Sequence, residues 1–211
     1  MSTVDARQAD AGHPARTIDV SLLPSFGFSY RGLMWWGTLG VMAIEGTVFA
    51  LAIGTYLYLR TRVQEWPPGL PPPDLRYGMI NTVLMVASLL PNMLAKRAAE
   101  AFDHSMSRLW MGVCLAFAIA FLIVRIFEFA TLNCKWYDNA YASAVWMLLG
   151  LHTTHLLTDA FDTAVLLVLL FTGPMEDRRF ADVSENAFYW NFVVAAWLPI
   201  AAIIYIAPRL L

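Results

Sequence analysis

Apolar residues fall in five blocks along the chain, separated by short polar connections. A helix needs about 20 apolar residues to cross the hydrocarbon of a bilayer. The blocks predict helices over about 34–59, 79–97, 108–131, 141–172 and 187–207. Trp35 and Trp36 enter the first block, and Tyr56, Tyr58 and Arg60 close it. Such aromatic rings favour the membrane–water boundary, where one end is apolar and the other wet. The second block is short, and Pro91 and Asn92 are expected to weaken its last turns before Lys96 and Arg97. Trp110 opens the third. The fourth exceeds what a span requires, which predicts tilt or an overhang beyond the bilayer. Tyr189 and Trp190 open the fifth, and Tyr205 and Pro208 close it.

The connections differ in character. Residues 61–77 contain Pro67, Pro68, Pro71, Pro72 and Pro73, which predicts a stiff, extended linker. Residues 96–107 are charged and mixed, and place His104 in a loop. Residues 132–140 form a short loop with Lys135, Trp136 and Asp138. Residues 173–186 hold Gly173, Pro174, Arg178 and Arg179 among four acids. A polar tail, 1–29, precedes the first block. No short apolar core with a cleavage site follows it, so no signal peptide is expected. The tail is expected to be mobile to about Leu22, with Phe26, Phe28 and Tyr30 approaching the interface. The expected fold class is therefore all-α, a polytopic membrane helical bundle with five transmembrane helices. Its domains are the tail and a five-helix unit over 30–211.

Composition supports this pattern. Charged residues make up 14% of the 211, against about 25% in a soluble domain. Lipid removes the need for charge on the outer surface. The net charge of −2 and the lack of a basic patch argue against nucleic acid as a partner. Cys114 and Cys134 belong to no CxxC or CxxCH, so neither a metal cluster nor covalent haem attachment has support. Five spans put the termini on opposite sides. Eight cationic residues (Arg7, Arg16, Arg31, Lys96, Arg97, Arg108, Arg178, Arg179) share the side of the N-terminus, against five on the other (Arg60, Arg62, Arg76, Lys135, Arg209). The positive-inside rule then places the N-terminus in the cytoplasm.

Ionisable groups inside spans are the candidate functional residues, because hydrocarbon makes them costly and they usually face protein or water. Glu45 sits near the middle of the first span. It is read as a neutral acid bonded to another helix, a lipid or ligand contact, or a proton carrier. Arg125 and Glu128 lie three apart on the third span, close enough on one face to pair. They are read as an intrahelical ion pair, or as a contact to a lipid headgroup or partner subunit. His152, His155, Asp159 and Asp162 follow spacings of three, four and three on the fourth span. That rhythm draws one polar stripe along a helix, which must face the bundle interior. An interhelical hydrogen-bond network, a proton-active site and a metal site are its three readings. The metal reading is the weakest, because transition metals want three or four converging ligands. The chain has only four histidines, with His13 in the tail and His104 outside the spans. No residue is assigned as catalytic or metal-binding.

The same residues resemble a known family, subunit III of haem–copper respiratory oxidases, over nearly all of 34–206. Trp36-Gly37 followed by Ile44-Glu45-Gly46-Thr47-Val48-Phe49-Ala50 is similar to the family helix with a single membrane-embedded glutamate. Asn81-Thr82 with Ser88 resembles its NT…S pattern, and Phe127-Glu128-Phe129 its glutamate followed by an aromatic. Gly150-Leu151-His152-Thr153-Thr154-His155 resembles the GFHGLHV element. Tyr189-Trp190-Asn191-Phe192-Val193 with Trp197 resembles the closing YWHFVD…W element. The full-length family has seven spans, and the five here resemble the last five, as in short bacterial forms. The departures are Asn191 for a usual His, Val194 for Asp, Arg125 for Gln, and Thr153-Thr154 for Gly-Leu. Asp159 and Asp162 map to no motif.

The resemblance implies an accessory subunit without redox centres in a bacterial inner membrane. It implies packing beside the catalytic subunit I, with subunit II and other respiratory subunits nearby. It implies structural phospholipid in a cleft between helices, and haem and copper in the partner. Oxygen reduction to water and proton pumping would belong to the complex, and this chain alone would be inactive. The departures also admit the related subunit of a nitric oxide reductase. Two rivals come from other classes. A small proton channel or transporter would use Glu45 and the stripe as a relay, although no internal repeat or broken midplane helix supports it. A lipid-modifying enzyme would need its groups clustered near an interface, whereas here they are spread along a span.

Overall fold

A computed structural model describes residues 27–173 and 178–210. Most of the predicted tail therefore lies outside the described residues, including the stretch to Leu22 and Phe26. After a short 3-10 turn at Ser29–Arg31 come five long helices: α1 Leu33–Arg60, α2 Leu75–Glu100, α3 His104–Ala130, α4 Ala140–Thr172 and α5 Arg178–Ala201. A π-helical turn, Ala202–Ile206, and a last short helix, α6 Ala207–Leu210, extend α5. Five helices are long and apolar enough to cross a membrane, the fifth as the continuous run Arg178–Leu210. The chain is an all-α, multi-pass membrane protein.

Several helices begin earlier than hydropathy alone indicates, and side-chain caps explain why. Asp74 accepts the N–H of Arg76 at 3.0 Å, Asp103 that of Met106 at 3.0 Å, and Asn139 that of Ala142 at 2.8 Å. Each satisfies an amide that the first turn leaves without an intrahelical partner. His104 is accordingly the first residue of α3 and not part of a loop. The expected connection over 96–107 contracts to the residues between Glu100 and His104. Pro91 does not weaken the end of α2, which runs on through it to Glu100. A proline inside a membrane helix is tolerated where neighbouring helices enclose it, and Pro91 and Asn92 are both buried. In the last span Pro199 precedes the π turn; a missing N–H and the ring's clash with the preceding turn disturb the regular ladder.

The proline-rich connection is likewise not an extended spacer. It folds back over one end of the bundle. Trp66 donates from Nε1 to the Tyr56 hydroxyl at 2.9 Å, and Asn133 donates to the Pro71 carbonyl at 2.5 Å. Arg209 donates to the Pro73 carbonyl. Pro67 and Pro73 are buried as a result.

α4 and α5 form the centre. α2 packs on α3 and α5, α3 on α4, and α1 lies outermost against α4 and α5. Of α1 only Phe49, Ala52 and Tyr56 are buried. Gly78 permits the closest approach in the bundle: a Cβ there would stand 2.6 Å from the ring of Tyr205. The absent side chain lets the π turn carry Tyr205 over α2 and into the interior.

Candidate functional site

The polar side chains of the spans collect into three clusters, each joining several helices. The first centres on Glu128. Arg125 Nη1 lies 3.0 Å from Glu128 Oε2, with the two side chains 1% and 2% exposed. Asn81 of α2 donates to the same oxygen at 3.1 Å, and the Tyr205 hydroxyl donates to Oε1. Arg125 Nη2 then reaches His152 Nδ1 at 3.2 Å. Arginine can only donate, so Nδ1 of this ring is the acceptor and Nε2 carries the hydrogen. That Nε2 faces the Val193 carbonyl at 3.1 Å, which requires a donor. His152 is thereby assigned as the Nε2–H tautomer, held between α3 and α5. The guanidinium also lies 4.2 Å over the Trp197 ring, an attraction strengthened by exclusion of water. Trp197 Nε1 donates to Thr82 at 2.8 Å. Since protein encloses both Arg125 and Glu128, neither presents a free face to a headgroup or a neighbouring subunit.

The second cluster is built on Glu45, whose side chain is 25% exposed. Tyr189 of α5 donates to its Oε2 at 2.9 Å, and His155 Nε2 of α4 lies 3.4 Å from Oε1. His155 Nδ1 lies 2.7 Å from the Leu151 carbonyl, so Nδ1 bears a hydrogen. The Phe49 ring lies tilted against both histidines, with centroids 4.9 Å from His155 and 6.2 Å from His152.

The third cluster joins α2, α4 and α5. Asn186 donates to Asp162 Oδ2 at 3.0 Å and exchanges hydrogen bonds with Thr163. Asn92 donates to the Ala187 carbonyl at 2.9 Å and to Asn191 Oδ1 at 3.2 Å. Trp190 Nε1 donates to Ser88 at 2.9 Å. Asp159 is 5% exposed, and its Oδ1 has no hydrogen-bond partner.

The stripe on α4 thus divides. His152 turns to Arg125, His155 to Glu45, and Asp162 to Asn186. Among the described residues no hydrogen bond joins one member of the stripe to another, so it is not a single four-member network. The stripe borders a cleft of about 880 Å³ between α1 and the α4–α5 pair. Met34, Val41, Val165 and Leu169 supply apolar wall, Asp159 and Asp162 line one side, and Arg178 and Arg179 stand at one end. Asn81, Asn92, Asn186 and Tyr205 are the partners that a search for ionisable groups passes over. The signal available for Asn81, Asn92 and Tyr205 was an amide or phenol inside an apolar block, whereas Asn186 falls at the end of the polar 173–186 connection and carried no such signal.

These clusters tie together segments that are far apart in sequence. The family model for cytochrome c oxidase subunit III matches residues 43–208. The chain belongs to the cytochrome c oxidase subunit III family. Among similar proteins is cytochrome c oxidase subunit 3 of Alkalihalophilus pseudofirmus, 28% identical, with 96% of each chain covered. Cytochrome bo(3) ubiquinol oxidase subunit 3 of Pseudomonas aeruginosa is 22% identical over 77% of this chain and 79% of its own length. The heme-copper oxidase subunit I+III of Aeropyrum pernix is 25% identical, covering 83% of this chain and 22% of that longer protein.

Within this subunit III the motif elements prove to be contact partners. The NT…S residues of α2 meet the two tryptophans of α5: Thr82 takes Trp197, Ser88 takes Trp190, and Asn81 takes Glu128. The departures fit as well. Arg125 supplies the cation beside Glu128, and Asn191 accepts from Asn92.

Proposed function

We propose that the chain is the accessory, non-redox subunit III of a haem–copper terminal oxidase, stabilising the catalytic subunit I and holding structural phospholipid. The observation that carries this reading is the use made of the buried polar groups. Glu45, Arg125, Glu128, His152 and His155 are all bonded to neighbouring helices, so they brace the bundle and do not converge on an open centre. All four ring nitrogens of His152 and His155 face protein partners. Haem and copper would therefore belong to the partner, and so would dioxygen reduction and the pumping coupled to it.

A relative whose name joins subunits I and III in one chain supports subunit I as the neighbour. Subunit II and further respiratory subunits would complete the assembly. The cleft supports the lipid role: Met34, Val41, Val165 and Leu169 offer apolar wall to an acyl chain, and Arg178 with Arg179, beside Asp182 and Glu185, offers cationic groups to a headgroup phosphate at one end. The cationic residues favour a bacterial inner membrane with the N-terminus and the 173–178 connection on the cytoplasmic side, and the proline-rich connection outside.

Stripping the chain from the purified complex tests the role. The stripped complex should keep its full haem spectrum and initial turnover, and then lose activity faster during sustained turnover. A stripped complex as long-lived as the intact one, or one that loses its haem bands with the chain, would contradict the proposal.

A further inference from the structure

Behind the cleft, on the far side of Asp159, lies a small cavity of about 10 Å³. Asp159 and Asn186 line both spaces and form the partition between them. A volume of about 10–15 Å³ is what one water needs, given polar partners to hold it. Ser88, Asn92 and Thr163 supply polar wall here.

The donors around this cavity are already occupied. Both amide hydrogens of Asn186 go to Asp162 and Thr163, and those of Asn92 to Ala187 and Asn191. Trp190 donates to Ser88, Ser88 to the Met85 carbonyl, and Thr163 to Asn186. Only the weak S–H of Cys114, from α3, is left on the lining. Asp159 Oδ1 is consequently a buried oxygen with no donor to accept from.

Among the described residues no cation faces the carboxyl. On its own helix stand Asp162, one turn on, and His155, whose ring nitrogens face Leu151 and Glu45. From α1 comes Glu45, from α2 Lys96, which pairs with Glu100 at 3.9 Å. From α5 come Tyr189, Asp182 and Glu185, with Arg178 and Arg179 at the end of the cleft. Arg178 precedes Asn186 by eight residues, roughly 12 Å along the helix axis. A carboxylate there is a buried charge that no cation offsets, whereas a carboxylic acid carries no charge and can donate its proton to a water or a wall acceptor.

We propose that Asp159 is a proton-binding site of this chain, holding its proton against a single water in the cavity and exchanging it with the cleft by way of Asp162. The site takes a proton from water in the cleft and returns it there. Asp162 is exposed on the cleft, three residues along the same face, and forms its entrance. This inference stands on the chain's own geometry and does not rest on the oxidase reading.

Infrared difference spectroscopy of the complex that carries the chain tests it. The wild type at neutral pH should show a protonated-carboxyl C=O band that shifts in D₂O. Asp159→Asn should remove that band, and Asp162→Asn should keep it while slowing its deuterium exchange. Thr163→Val changes the cavity without touching the acid and should shift the band. If the Asp159→Asn complex does not assemble, the Thr163→Val variant decides. An Asp159→Asn spectrum that retains every protonated-carboxyl band, or a Thr163→Val spectrum with no band moved, would overturn the proposal.

Discussion

Glu128 shows how one residue ties the protein together. It accepts from Arg125 on its own helix, from Asn81 on α2 and from Tyr205 on the π turn. Removing one partner of a buried ion pair leaves the other charge uncompensated, at a cost of about 3–5 kcal/mol. Glu128→Gln should therefore lower the temperature at which the subunit dissociates from its complex. Replacing both members, as Arg125→Met with Glu128→Leu, should cost less than Glu128→Gln alone, since no unpaired charge remains. A dissociation temperature unchanged by Glu128→Gln would show that the pair does not brace the bundle. The sequence marks Glu45, Arg125, Glu128 and the α4 stripe as exceptional, because charge inside an apolar block is expensive. It does not reveal how they pair. His152 and His155 look like members of one row, yet their side chains reach α3 and α1 respectively, which only the helix arrangement decides.

At the scale of elements, apolar blocks locate the spans but not the helix ends. Hydropathy reports the part of a helix that meets hydrocarbon, whereas Asp74, Asp103 and Asn139 start helices in polar surroundings. The proline-rich connection was also opaque, because its contacts to Asn133 and Arg209 come from two distant segments, and only that to Tyr56 from the preceding helix. Its side of the membrane is open to labelling. Glu65 is exposed in that connection. With the N-terminus inside, a cysteine placed by Glu65→Cys should react with a membrane-impermeant maleimide from outside the cell. Labelling of that position only in inside-out vesicles would reverse the orientation. Native Cys134, in a connection on the same side, should give little background. Burial, with a smaller contribution from Asp138, pushes its thiol up to about 11. The reactive thiolate is then scarce at neutral pH, and background should rise only as pH climbs toward that value.

Across the whole molecule, the five helices form a bundle whose interior is polar at three places, of which the one around Glu128 is fully enclosed. α1 is the least buried of the spans and packs on α4 and α5, while α2 and α3 pack most extensively on each other. The family was legible from motif order, because residues that contact one another, such as Ser88 with Trp190 and Thr82 with Trp197, sit in the quoted elements. The cleft was not, since it depends on how α1 leans on the α4–α5 pair. The central claim is that this chain works as an accessory subunit beside a catalytic haem–copper subunit. The most direct measurement is native mass spectrometry, with an optical spectrum, of the tagged chain purified from its own membranes in mild detergent. An accessory subunit should emerge in an assembly with a catalytic subunit that carries the haem, and should hold no haem once separated. The chain recovered alone, or carrying stoichiometric haem by itself, would contradict the claim.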